Sequence, residues 1–184
     1  EIGILSIVFT VFCVIGLTNS FNFIDGVDGL CSSLALVAVL SVLLISNLNN
    51  TILLFLDYNY LLLLSLSIFI FVIFNLNKSF KIFLGDSGSM FLGFTVSWIL
   101  ILTSQNENQI IHPVLTIWCV TLPVFDITSV VIRRSLRKIN PFRPDRRHVH
   151  HILIEMGYSN LATTTIILIL SLILNFFGIL IFYI

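Results

Sequence analysis

The chain has 184 residues, of which 58% are hydrophobic and only 10% charged, and its mean hydropathy is +1.09. Soluble domains carry roughly a quarter charged residues, so an ordinary cytosolic globule, a disordered chain and a nucleic-acid-binding tail are excluded. Formal net charge is zero, yet the charges are unevenly placed, and that placement is more informative than their sum.

Apolar runs near the ~20 residues a membrane-spanning helix needs predict six spans, at about 2–18, 30–47, 52–75, 88–104, 111–132 and 160–183. The runs are rich in Leu, Ile, Val and Phe without two-residue alternation, which favours helices over barrel strands. In lipid the backbone must satisfy its own hydrogen bonds. The predicted fold is therefore all-α, a polytopic transmembrane bundle, with residues 1–184 read as one catalytic domain. Asp57, Tyr58 and Asn59 interrupt the third run and are expected at a membrane surface. The chain begins at Glu1 and enters an apolar run at once, so it is read as a piece of a longer protein, incomplete at its N-terminus and open at its C-terminus.

The connections alternate in character. Residues 19–29, 76–87 and 133–159 are long or motif-rich, whereas 48–51 and 105–110 are short and lack Lys and Arg. All nine basic residues lie in or beside the second and third motif-rich stretches. Six alternating spans put the three motif-rich connections on one side, and the positive-inside rule makes that side cytoplasmic. Cys13, Cys31 and Cys119 show no ligand spacing and are expected to serve as small packing residues. His112 falls on the opposite side and is given no catalytic role.

The first motif-rich loop reads NSFNFIDGVDGL, from Asn19 to Leu30. Asp25 and Asp28 each precede a glycine, and carboxylates between apolar helices are costly unless paired, hydrated or bound to a cation. The plain alternative is a solvated turn with Asp28 capping a helix. The second loop reads NLNKSFKIFLGDSGS, from Asn75 to Ser89. Asp86 is expected to cap the fourth span, while Gly85, Ser89, Gly93 and Ser97 form a small-residue packing stripe. With Lys78 and Lys81 nearby, Asp86 also suits Mg²⁺ and the phosphates it carries.

The third loop, Arg133 to Gly157, carries Asp145, Arg146, Arg147, His148, His150 and His151. Zinc is disfavoured, because the cluster lacks cysteines and an evident fourth ligand. A basic patch on anionic lipid explains the arginines but not the histidines. Arg and His together suit a pyrophosphate or nucleotide. Asp126, in the fifth span, is expected to pair with Arg133 or Arg134. Acids, a Gly-Ser turn and a His/Arg cluster on one face fit metal-assisted phosphoryl transfer involving a membrane lipid. A transporter is disfavoured, since the acids gather at one surface rather than at mid-membrane.

NSFNFIDGVDGL, KIFLGDSGSMFLGF, PVFD and PFRPDRRHVHHILIEMG, in this order, resemble the polyprenyl-phosphate N-acetylhexosamine-1-phosphate transferases over nearly the whole chain. The Asp-Arg-x-His-x-His-His form is similar to the branch using UDP-GlcNAc. The branch transferring phospho-MurNAc-pentapeptide has consecutive histidines, which Val149 interrupts here. The resemblance implies transfer of GlcNAc-1-phosphate from a UDP-N-acetylhexosamine to undecaprenyl phosphate at the cytoplasmic face of a bacterial inner membrane, with Mg²⁺ (or Mn²⁺) as cofactor. It implies catalytic roles for Asp25, Asp28, Asp86, His148, His150 and His151, substrate contacts at Asn22, Asn75, Lys81 and Arg146, and a metal ligand at Asp86. It allows a homodimer and implies no nucleic-acid partner. The family also carries an aspartate pair in an earlier loop, and no adjacent aspartates occur in these residues. These 184 residues alone are therefore expected to lack turnover, and an inactive scaffold is the remaining alternative.

Overall fold

A computed structural model of the chain describes residues 3–49, 58–105, 110–138 and 148–184. Every regular element among them is a helix: α1 (Ile4–Ile24), α2 (Leu30–Leu48), α3 (Tyr58–Leu76), α4 (Gly85–Ser104), α5 (Pro113–Cys119), α6 (Thr121–Leu136), α7 (Val149–Glu155) and α8 (Asn160–Tyr183). Five of these are long and apolar enough to cross a membrane, and α5 with α6, taken together as one bent span, would be a sixth. Around their outer faces lie exposed apolar side chains such as Ile4, Phe9 and Phe12 on α1, Leu63 and Phe69 on α3, and Phe176 and Ile181 on α8. Water would penalise such a surface and hydrocarbon would not. The molecule is a multi-pass helical membrane protein.

Helix α2 occupies the centre, with α1, α3, α4, α5 and α8 against it. Its sequence explains this. Ser32, Ser33, Ala35, Ala38, Ser41 and Ser46 are all buried, and small side chains let helices approach closely where no hydrophobic force separates protein from lipid. The same device joins α1 to α4. A Cβ on Gly93 would stand 2.9 Å from the Thr18 Cα and 3.0 Å from the Phe21 Cβ. Ser89 and Ser97 are also buried, so three of the four stripe positions pack as predicted. Gly85 instead begins α4 with φ of 68°, a left-handed conformation suited to glycine.

The fifth predicted span is not one helix. α5 and α6 meet at 83° around Val120. Pro123 accounts for the break, because its ring clashes with the carbonyl four residues earlier, at Cys119, and it has no N–H to donate. The first span runs on to Ile24, so Asn19 to Ile24 are helical rather than loop. The fourth begins at Gly85, three residues before the expected start, and α7 was not anticipated. Tyr58 and Asn59 begin α3, and Asp57 lies outside the described residues. Cys31 and Cys119 pack inside as expected, whereas Cys13 is exposed on the apolar flank of α1.

Polar ties mark the two ends of the bundle. At one end Asn49 Nδ2 donates to the Ile110 carbonyl, 2.7 Å away, the Tyr183 hydroxyl donates to Asn49 Oδ1, and His112 lies against Phe182. There His112 Nδ1 accepts from the Val114 N–H at the start of α5. The other end holds the motif-rich connections.

Candidate active site

The turn between α1 and α2 is held from three directions. Gly29 takes φ of 73° as the residue before α2. Its N–H donates to Asn75 Oδ1, and Asn75 Nδ2 donates to the Ile82 carbonyl. Asn75 is buried with both ends of its amide on backbone, so the residue predicted at the substrate ties the first motif loop to the second. Thr164 Oγ1, on α8, donates to the Asp28 carbonyl at 2.9 Å. Ser89 Oγ, on α4, donates to Asn22 Oδ1 at 2.7 Å, which fixes Asn22 at the end of α1.

Four charged groups collect over this turn. Asp28 Oδ2 and Lys81 Nζ form an ion pair at 2.7 Å, and Lys81 also lies 4.7 Å above the Phe83 ring. Asp28 is thus a partner for lysine, and no side chain caps α2. Asp86 is exposed in the first turn of α4, after Leu84 as the capping residue, and makes no capping hydrogen bond. The expected capping role is replaced by a free-standing acid at a helix N-terminus, where a negative charge is favoured. Asp25 is half-buried. Burial, then the charges of Asp86 and Asp28, push its carboxyl up to about 6. Crowded carboxylates that resist ionising together are a common mark of a functional site.

The histidines enter from the third connection. His148 Nδ1 bonds Asp126 Oδ2 at 2.7 Å, and the Val149 N–H donates to Asp126 Oδ1 at 2.9 Å. Asp126 therefore serves the histidine loop, in place of the expected pairing with Arg133 or Arg134. Phe23 stacks on His148 with centroids 5.4 Å apart. The His150 ring lies 5.9 Å from that of His148 and nearly parallel to it, and 4.1 Å from that of His151. His150 is buried, and its Nε2 has no hydrogen-bond partner. That nitrogen sits 2.6 Å from where a Cβ on Gly26 would be. Burial, then the neighbouring His151 and His148, lower His150 to about 4, against an opposing pull from Asp126. His150 is thus a neutral ring at physiological pH.

All three connections meet at one end of the bundle. Asn22, Asp25, Asp28, Lys81, Asp86, His148, His150 and His151 belong to this end, while Arg146 lies outside the described residues. Sequence reasoning missed Thr164 and Phe23, took Ser89 for a packing residue alone and Gly26 for no more than the glycine after Asp25, and gave Asp126 a different partner. The one available signal was Asp126 itself, since a buried acid on a spanning helix requires a partner.

Among the described residues, no group of three or more His, Cys, Asp or Glu side chains is arranged to enclose a metal ion. Mg²⁺, however, is commonly bound through one or two carboxylates completed by substrate phosphates. Exposed Asp86, with Asp25 inside its field, supplies hard oxygen donors of that kind, so the residues present fit the ion.

The family model described as glycosyl transferase family 4 matches residues 1–104. Three relatives share the name undecaprenyl-phosphate alpha-N-acetylglucosaminyl 1-phosphate transferase. The Escherichia coli K12 protein is 35% identical over 105 residues, which is 57% of this chain and 29% of the relative. The Haemophilus influenzae protein is 37% identical over 101 residues, 55% of this chain and 28% of the relative. The Pasteurella multocida protein is 38% identical over 109 residues, 58% and 30% respectively. The chain therefore aligns to less than a third of these relatives' length. The family match covers Asn22 to Asp86 and stops before His148, so the histidines join this site by geometry.

Proposed function

The chain belongs to glycosyl transferase family 4, and on that premise we propose that the whole protein transfers GlcNAc-1-phosphate from UDP-GlcNAc to undecaprenyl phosphate. A lipid phosphate oxygen attacks the β-phosphorus, the pyrophosphate bond breaks, UMP leaves, and a lipid-linked sugar pyrophosphate remains for cell-envelope polysaccharide synthesis. The observation that carries this reading is the convergence of three sequence-distant connections, seen most directly where His150 meets Gly26. The names of the relatives support the choice of donor and acceptor.

Asp86, with Asp25, would hold Mg²⁺ (or Mn²⁺). When bound, the ion neutralises charge on the pyrophosphate and orients it. The chain's own groups divide the remaining work. Asn22 Oδ1, occupied by Ser89, leaves the amide NH₂ as the end that offers hydrogen bonds to a nucleotide. Lys81, held by Asp28, brings a cation to the edge of the site. Neutral His150, protonated on Nε2, would donate from that nitrogen to a phosphate oxygen without adding charge. His151 and His148 flank it, and Arg146 would add a guanidinium suited to phosphate. Lys78, Lys81, Arg133, Arg134, Arg137 and Lys138 all belong to the motif end, which supports a cytoplasmic orientation in a bacterial inner membrane.

The test is transfer by the whole protein in membranes supplied with undecaprenyl phosphate, Mg²⁺ and radiolabelled UDP-GlcNAc. Label should enter the lipid phase with stoichiometric UMP. Label from UDP-MurNAc-pentapeptide instead would move the chain to the other branch. Label from neither donor would overturn the assignment and favour an inactive scaffold.

A further inference from the structure

Asp126 lies on α6 and is only 6% exposed. An unpaired carboxylate at such a depth would be costly, and this one divides its two oxygens between a side chain and a backbone of the same loop. We infer that Asp126 is a positioning residue, which fixes the tautomer of His148 and seats α7 so that His150 stands against the Asp25–Gly26 turn. The inference rests on the transferase reading of the site.

A carboxylate only accepts hydrogen bonds. Its 2.7 Å contact with His148 Nδ1 therefore requires a proton on Nδ1, and in the neutral ring the lone pair is then on Nε2. Phe23 holds the same ring by its face. The second oxygen accepts from Val149, the first residue of α7, whose N–H has no partner inside the helix. A single side chain thus anchors both the histidine and the helix that follows it. His150 comes one residue after Val149, with its ring nearly parallel to that of His148 and its Nε2 at the Gly26 backbone. Loss of the anchor would free α7 and shift His150. The titratable groups facing His148 are Asp126, His150 and His151.

Asp126→Asn separates this role from simple packing. Asparagine keeps Oδ1 for the Val149 N–H but presents an NH₂ donor to His148 Nδ1. The imidazole must then move its proton to Nε2 to accept that bond. Asp126→Glu retains a carboxylate.

The experiment is nitrogen NMR of the whole protein with ¹⁵N-labelled histidine at about pH 8.5, well above the ordinary histidine value of roughly 6.5. The His148 signals are assigned by their loss in His148→Gln. Wild type should show the proton on Nδ1, and Asp126→Asn should show it on Nε2. In parallel, Asp126→Asn should lower kcat for transfer about ten- to a hundredfold, the usual range for a partner that orients a functional histidine. KM for UDP-GlcNAc should change less than kcat, since the displaced His150 is one of several groups that hold the donor. Asp126→Glu should restore the Nδ1 proton and part of the rate. A wild-type ring protonated on Nε2 alone overturns the inference, as does an Asp126→Asn protein with unchanged kcat. If Asp126→Asn does not fold, the wild-type spectrum decides by itself. If wild type transfers no sugar phosphate at all, the transferase reading falls, while the spectrum still tests the pairing.

Discussion

The bundle interior around α2 pairs its polar groups, whereas the motif end pairs some and leaves others crowded or bare. In the interior, Ser41 Oγ donates to Asn175 Oδ1 at 2.8 Å, and Asn175 Nδ2 donates to the Ser171 carbonyl at 3.0 Å. Ser97, Thr103 and Ser104 return their hydroxyls to carbonyls one turn back on α4. At the motif end, Asp25 is crowded by two other acids and the His150 ring nitrogen is buried without a partner. The other two buried side-chain atoms without a partner among the described residues, Thr18 Oγ1 and Thr163 Oγ1, lie in the half of α1 and of α8 nearest that end. Polar groups inside a membrane protein are satisfied where they serve packing. Those left crowded or unpaired gather toward the end where the three connections meet, and the fold carries their cost.

The largest test of this contrast is Asp86→Asn. The residue is exposed and caps nothing, so the variant should lose at most about 1 kcal/mol of helix-terminus stabilisation, while transfer activity falls by about a hundredfold or more, as when a charge-stabilising group is removed. Wild-type activity in the variant would place Asp86 with the passive surface. Gly26→Ala should come next. Its new methyl would occupy the space of His150 Nε2, and a small displacement of a reacting group costs about ten- to a hundredfold in rate. Gly16→Ala, where nothing lies within 4 Å, is the control and should leave transfer unchanged. Equal rates for the two alanines would dissolve the claim that His150 must sit at that turn. The smallest effect belongs to the interior. Asn175→Leu removes the tie between α2 and α8 and should cost only about 0.6 kcal/mol of stability, the average for hydrogen bonds between membrane helices. Denaturation in micelles would measure it, with activity unaltered. A large loss of activity there would show that the interior contributes to the site after all.

Much of this was legible in the chain. The final span was read as 160–183 and is Asn160–Tyr183, because a long apolar run between polar flanks leaves few alternatives. Lys78 and Lys81, with the arginines after α6, marked the shared end of the motif loops. The broken fifth span was not read, although Pro123 stood within it, because an apolar run continues across the bend. α7 escaped notice for a different reason. It is seven residues long, too short to be stable alone, and it is anchored by an acid 23 positions earlier.

By itself, the amino-acid order determined the helical membrane class, the gathering of the motifs at one end and the inventory of acids and histidines. These follow from local rules: a backbone in lipid must bond to itself, and a charge avoids hydrocarbon. Only the tertiary structure decided that Asp126 holds His148, that Asn75 ties two loops together and that His150 rests on Gly26. Such partnerships depend on how closely helices approach, which small residues such as Gly93 set across the bundle, and no local pattern carries that distance.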